Sequence, residues 1–164
     1  MSDYEQGYDY EFEDTQKDKY LTFSVEKGNY GIEIQYVTEI IGLQKITEVP
    51  NQPNCLSGVI NLRGQIIPTM DVRRRFNMPE LDYDDRTCII VLEVHDLSVG
   101  IIVDRVLEVM NIDEAHMSPP PAIMDNTENR YVKGIGQIDN EVVIIISSED
   151  MMTGEELDLL KKIN

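Results

Sequence analysis

The sequence predicts an all-β fold with short helices, arranged as two related lobes. The first observation behind that expectation is an internal duplication. Tyr30-Gly31-Ile32-Glu33-Ile34-Gln35-Tyr36-Val37-Thr38-Glu39-Ile40-Ile41 returns 69 residues later as Val99-Gly100-Ile101-Ile102-Val103-Asp104-Arg105-Val106-Leu107-Glu108-Val109-Met110. A second echo, Cys55-Leu56-Ser57-Gly58-Val59-Ile60-Asn61-Leu62, returns 76 residues later as Tyr131-Val132-Lys133-Gly134-Ile135-Gly136-Gln137-Ile138. The larger second offset places an insertion in a loop of the second half, at Pro119-Pro120-Pro121. The second observation is period-2 alternation bounded by turn residues, the pattern of hairpins. The third is that no internal segment is long enough to supply the crossover helices of a parallel sheet.

The elements follow in order. Residues Met1 to Asp18 carry seven acidic side chains against one lysine, with Tyr4, Tyr8, Tyr10 and Phe12 scattered without period, and read as a disordered acidic tail; a docking peptide built on the aromatics is the minority reading. The folded domain then spans 19–164, with approximate lobes 19–83 and 84–164 between which strands can exchange. Tyr20 to Val25 and Tyr30 to Ile34 form a hairpin across Glu26-Lys27-Gly28-Asn29. Gln35 to Ile41 is expected to wind into a brief helix stopped by Gly42. Leu56 to Leu62 and Gln65 to Met70 form a second hairpin across Arg63-Gly64. Asp71 is a good N-cap for a short helix to Phe76, closed by Asn77-Met78-Pro79. Thr87 to Val94 and Leu97 to Val103 repeat the hairpin grammar across His95-Asp96. Glu141 to Ile146, nearly all branched and apolar, is expected to be a central strand covered on both faces. Both Ser147 to Asp150 and Thr153 to Glu156 carry helix-start chemistry, and Leu157, Leu160 and Ile163 share a face of the final helix.

Composition narrows the function. At 164 residues and 18.8 kDa, neither lobe has a comfortable length for independent stability, since domains below roughly 80 residues seldom supply more than a few kcal/mol from burial, so the lobes are expected to lean on each other. A net charge of −17 repels nucleic-acid phosphate and anionic lipid, which argues against nucleic-acid binding. The absence of a long apolar run and the acidic start point to a cytoplasmic protein with no direct membrane insertion. Cys55 and Cys88 sit among apolar neighbours and read as buried, reduced thiols.

Reactive constellations are missing. His95 and His116 have no Cys or His at ligand spacing, which indicates no metal site. The serines lack a nucleophile elbow, and Gly134-Ile135-Gly136 lacks the third glycine and helix of a dinucleotide site. The carboxylates fall in turns and tails. No catalytic residue, metal or cofactor is expected.

Binding candidates remain. Arg63 at its hairpin tip reads equally well as an ordinary turn residue or as a contact. Val37, Ile40 and Ile41 follow a strand that already supplies Ile32 and Ile34 to the core. Pro119-Pro120-Pro121 with Ala122 and Ile123 forms a stiff apolar loop that suits an interface. Arg73, Arg74 and Arg75 read first as an ion-paired face. A small ligand-binding or enzymatic barrel using the inter-lobe cleft is the rival class.

Asn61-Leu62-Arg63-Gly64 followed by Gln65-Ile66-Ile67-Pro68-Thr69-Met70-Asp71-Val72-Arg73 resembles the signature of the CheW family of bacterial chemotaxis coupling proteins. The likeness continues through Tyr30 to Ile34, Val99 to Asp104 and Tyr131 to Gly136, covering nearly all of Lys19 to Leu160. It implies two intertwined five-stranded SH3-like β-barrel lobes related by a pseudo-two-fold duplication. It also implies a non-catalytic adaptor between the cytoplasmic tip of methyl-accepting chemoreceptors and the regulatory domain of the kinase CheA, recruited to membrane-associated receptor arrays. Carried over by motif, Val37, Glu39, Gly58 and Arg63 fall at the receptor contact, and Ile40, Ile41, Ile123 and Leu159 at the kinase contact. The family often places an aromatic where this chain has Ile123.

Overall fold

The computed structural model describes residues 16–122 and 130–163, so the acidic stretch up to position 15 and Ile123 lie outside it. The chain opens with the expected hairpin, β1 (Lys19–Val25) and β2 (Gly28–Glu33), which turns at Glu26. The helix expected over 35–41 is a correction: one 3-10 turn, Ile34–Tyr36, leads directly into strand β3 (Val37–Gly42). Apolar residues at 34, 37, 40 and 41 imitate helical spacing, but the β-branched side chains gain more by adding a strand beside Cys88–Val94. Hairpin β4 (Leu56–Leu62) and β5 (Gln65–Asp71) turns at Arg63 and Gly64 with φ of 52° and 88°, the positive pair that matches the twist of two antiparallel strands. Asp71 then caps helix α1 (Val72–Arg75), its carboxylate accepting from Arg73 N at 2.9 Å.

In the second half, β6 (Cys88–Val94) and β7 (Leu97–Val103) pair across His95 and Asp96, again both at positive φ. Strand β8 (Arg105–Asn111), a short β9 (Met117–Ser118), β10 (Val132–Ile138) and β11 (Glu141–Ile146) follow. Helix α2 (Gly154–Ile163) closes the described chain under a reciprocal cap: Thr153 Oγ1 accepts from Glu156 N at 3.1 Å and Glu156 Oε1 accepts from Thr153 N at 2.7 Å. Of the two expected helix starts only this one begins a helix, while Ser147 to Asp150 makes a single turn. Strand β11 is central, between β10 and β2, yet Val142 is 53% exposed. Only Ile144 and Ile145 reach β2, so the first residues of β11 have one neighbour and an open face.

Sheet order explains how the lobes interlock. One sheet runs β8-β1-β2-β11-β10-β9 and the other β3-β6-β7-β5-β4. Under the sequence repeat β1, β2, β3, β4 and β5 correspond to β6, β7, β8, β10 and β11, so the two orders are the same with the halves exchanged. Leaving aside the short β9, which extends the six-stranded sheet, each SH3-like lobe takes two strands from one half of the chain and three from the other. The exchange is made by parallel pairs, β2 with β11 and β5 with β7. One apolar cluster, with Leu21, Phe23, Ile32, Leu92, Ile101 and Ile146, draws on both sheets, while smaller clusters around Ile60 and Ile112 fill the separate lobes. Neither lobe could leave without exposing the shared core.

Polar contacts fix the lobes' angle. Arg73, whose side chain is 6% exposed, donates from Nε to Asp104 Oδ1 at 2.8 Å and from Nη2 to Asp104 Oδ2, meets Glu26 Oε2 at 2.6 Å and donates to Pro79 O at 3.1 Å. Aromatic rings Phe23, Tyr30, Phe76 and Tyr131 pack in succession, with centroids 5.9, 5.0 and 5.1 Å apart, the outer two contacts stacked and the middle one tilted. Cys55 is buried and Cys88 partly so, both as free thiols. Among the described residues no helix is long and apolar enough to cross a membrane.

Candidate docking site

Strands β3 and β4 are the two edges of their sheet, and the lobe closes where they meet. After β3 the chain returns over β4, with Thr47 N donating to Val59 O at 2.8 Å and Val59 N to Thr47 O at 2.9 Å. Further along this seam Arg63 reaches from the β4–β5 tip onto β3 and grips Glu39 with both terminal nitrogens, Nη1 to Oε1 at 3.1 Å and Nη2 to Oε2. The turn holds this direction, because Asn61 Oδ1 accepts from Gly64 N at 2.9 Å. Arg63's side chain is 70% exposed, so the pair contributes little stability. Its consequences are geometric and electrostatic: the guanidinium holds the Glu39 carboxyl below the usual range and presents a fixed cation on the rim.

Gly58 sits on the same seam, buried, at φ 149° and beside a β-bulge. A Cβ there would lie 2.3 Å from Thr47 O, which requires glycine. The repeat builds the same joint in the other lobe, where Ser118 pairs with Ile135 and a Cβ on Gly134 would meet Ser118 O at 2.9 Å. These matched bridges also place the insertion: Thr47 to Gly58 spans 11 positions and Ser118 to Gly134 spans 16, so most of the extra length lies around the proline run.

The other candidates separate. Val37 is half-buried at the start of β3 against the shared core. Ile40 is 45% exposed, whereas Ile41, on the next position of the strand, packs inward on the cluster around Ile60. Leu159 is half-buried on α2, beside a fully buried Leu160. Glu39 and Arg63 are therefore in contact, Gly58 supports their seam, and Ile40 and Ile41 face opposite ways. Sequence reasoning missed Ile66 on β5, which is exposed like Ile40, and the related pair Val109 and Val142 in the other lobe. The duplication held that signal, since Ile40 repeats as Val109 and Ile66 as Val142. Arg63 repeats as Asp139 and Glu39 as Glu108, so only one lobe has the ion pair. The arginines of α1 are ion-paired as expected: Arg73 with Asp104 and Glu26, Arg74 with Glu80, Arg75 with Glu156.

Comparison with known proteins agrees with this construction. The CheW-like domain family matches residues 19–156. The chain is 32% identical over 145 residues to a chemotaxis protein CheW of Klebsiella aerogenes, covering 88% of this chain and 87% of that protein. It is also 32% identical over 138 residues to the chemotaxis protein CheW of Bacillus subtilis, covering 84% and 88%. The crystal structure of the scaffolding protein TtCheW from Thermoanaerobacter tengcongensis superposes with a TM-score of 0.77 at 34% identity, over 85% of this chain and 94% of that one. The chain thus belongs to the CheW family of chemotaxis coupling and scaffold proteins.

Proposed function

We propose that this protein is a non-catalytic adaptor that couples the cytoplasmic hairpin tip of methyl-accepting chemoreceptors to the regulatory domain of CheA. It works in the cytoplasm and is recruited to membrane-associated receptor arrays. The observation that supports this reading best is the Glu39–Arg63 seam: a fixed cation and apolar neighbours on a closed barrel edge, held by backbone bonds and a buried glycine. Such a surface suits a helical hairpin whose apolar side chains pack beside Val37 while its polar groups meet Arg63 and Glu39. In this assignment Gly58 acts through position. Ile40, Ile41, Ile123 and Leu159 serve the kinase side, Ile41 by supporting Ile40 from within. Because the lobes share a core, receptor and kinase occupancy are coupled through one rigid body.

Replacing Arg63 by Asp sets two carboxylates against each other at the rim and removes the cation. Affinity for a receptor hairpin, read by titration calorimetry, is expected to fall about tenfold or more, while loss of the solvent-screened pair leaves the fold's stability nearly unchanged. Unchanged affinity removes Arg63 from the contact.

A further inference from the structure

We infer that the protein carries a binding site for a phosphoryl oxyanion, separate from the docking seam, in a cavity of about 350 Å³ between α1, α2 and the segments before β4 and β10. Arg74, Arg75 and Arg130 line it, with Glu156 as the one carboxylate, in a protein whose net charge is −17. Three guanidinium groups brought together from two distant parts of an acidic chain are not needed to balance one carboxylate.

The local bonds leave donors over. Glu156 is already engaged, accepting from Arg75 Nη2 at 2.5 Å, Thr153 N at 2.7 Å and Cys55 Sγ at 3.1 Å. Arg74 donates from Nη1 to Asn54 O at 3.2 Å, and its other partner, Glu80, lies 3.2 Å from Nε but outside hydrogen-bond geometry and largely exposed. The Nε atoms of both Arg74 and Arg75 are buried without a hydrogen-bond partner. Arg130 makes no ion pair or hydrogen bond with the other described residues and stands at the exposed wall. Those Nε atoms are closed off from the cavity, so an anion would be met by the terminal nitrogens, and a forked guanidinium meets two oxygens of a tetrahedral oxyanion at once. The volume exceeds that of a bare phosphate, so the anion is either free or the end of a small phosphorylated molecule. No part of this site is shared with Val37, Glu39, Gly58 or Arg63, and it does not depend on the adaptor reading.

The test is a titration of the full chain followed by amide and arginine-Nε resonances, using sodium phosphate in one series and magnesium-free ADP in another. Saturable shifts at Asn54, Arg74, Arg75 and Arg130 are expected. Arg130→Glu and Arg74→Gln weaken them about tenfold, whereas the charge-matched Arg86→Glu, away from this cavity, leaves them within about twofold. Equal affinity for both ligands identifies the free anion, and tighter ADP binding identifies a phosphorylated molecule; either result supports the site. Absence of saturable shifts, or equal weakening by Arg86→Glu, overturns it.

Discussion

Gly58→Val will destabilise the protein by about 3 kcal/mol or more, enough to lower the thermal midpoint by roughly 10 °C. Two costs combine at one atom. The backbone sits at φ 149°, where a β-branched residue is strained, and the new Cβ would stand 2.3 Å from Thr47 O. That oxygen accepts the hydrogen bond from Val59 that closes the lobe, so it has little room to yield. Gly64→Ala is the internal comparison: its φ is also positive, at 88°, but a Cβ there meets nothing within 4 Å. Only the conformational cost of about 1 kcal/mol is expected there. Chemical denaturation of both variants separates the terms. Equal losses would mean that the contact with Thr47 does not matter. A receptor-binding defect in Gly58→Val must therefore be read beside its stability.

Arg73→Ala will cost about 3–5 kcal/mol, because it leaves Asp104 at the lobe junction without its cation and removes a bond to Pro79 O. Its pH dependence has a definite sign. Burial alone would raise the Asp104 pKa, but the bonds from Arg73 and from Glu26 N outweigh it and the net shift is downward. A carboxyl whose folded pKa is depressed contributes stability that is complete above its unfolded pKa, about 3.9, and fades as pH falls through the folded value. Wild type and variant should therefore differ most near neutral pH and converge below about pH 4. A gap that stays constant down to pH 2 would show that Asp104 is not the group Arg73 stabilises.

Much of this architecture is local chemistry and was legible. Arg63-Gly64 and His95-Asp96 set hairpin turns through positive φ at both positions, and Asp71 and Thr153 start helices through bonds to nearby N–H groups. The repeat made the two lobes visible. It did not reveal which strands trade places, because the parallel pairs β2–β11 and β5–β7 join segments far apart in the chain with no shared turn. The sequence suggests a helix over 35–41 because the apolar residues Ile34, Val37, Ile40 and Ile41 satisfy both spacings, and only the unpaired edge of β6 decides between them. The Glu39–Arg63 contact was hidden for a similar reason. Its members come near only when the barrel closes, and neither residue's neighbours announce the other. Val142 was expected to be covered because an apolar run looks like a buried strand, whereas burial depends on how far the neighbouring strand extends.

The most direct test of the adaptor account is the mass of the species formed when purified chain, receptor hairpin tip and CheA regulatory domain are mixed, measured by sedimentation with each pair as reference. The account predicts one complex containing all three, with Arg63→Asp losing the receptor but retaining the kinase domain. Two binary complexes that exclude each other, or no association with either partner, would contradict it.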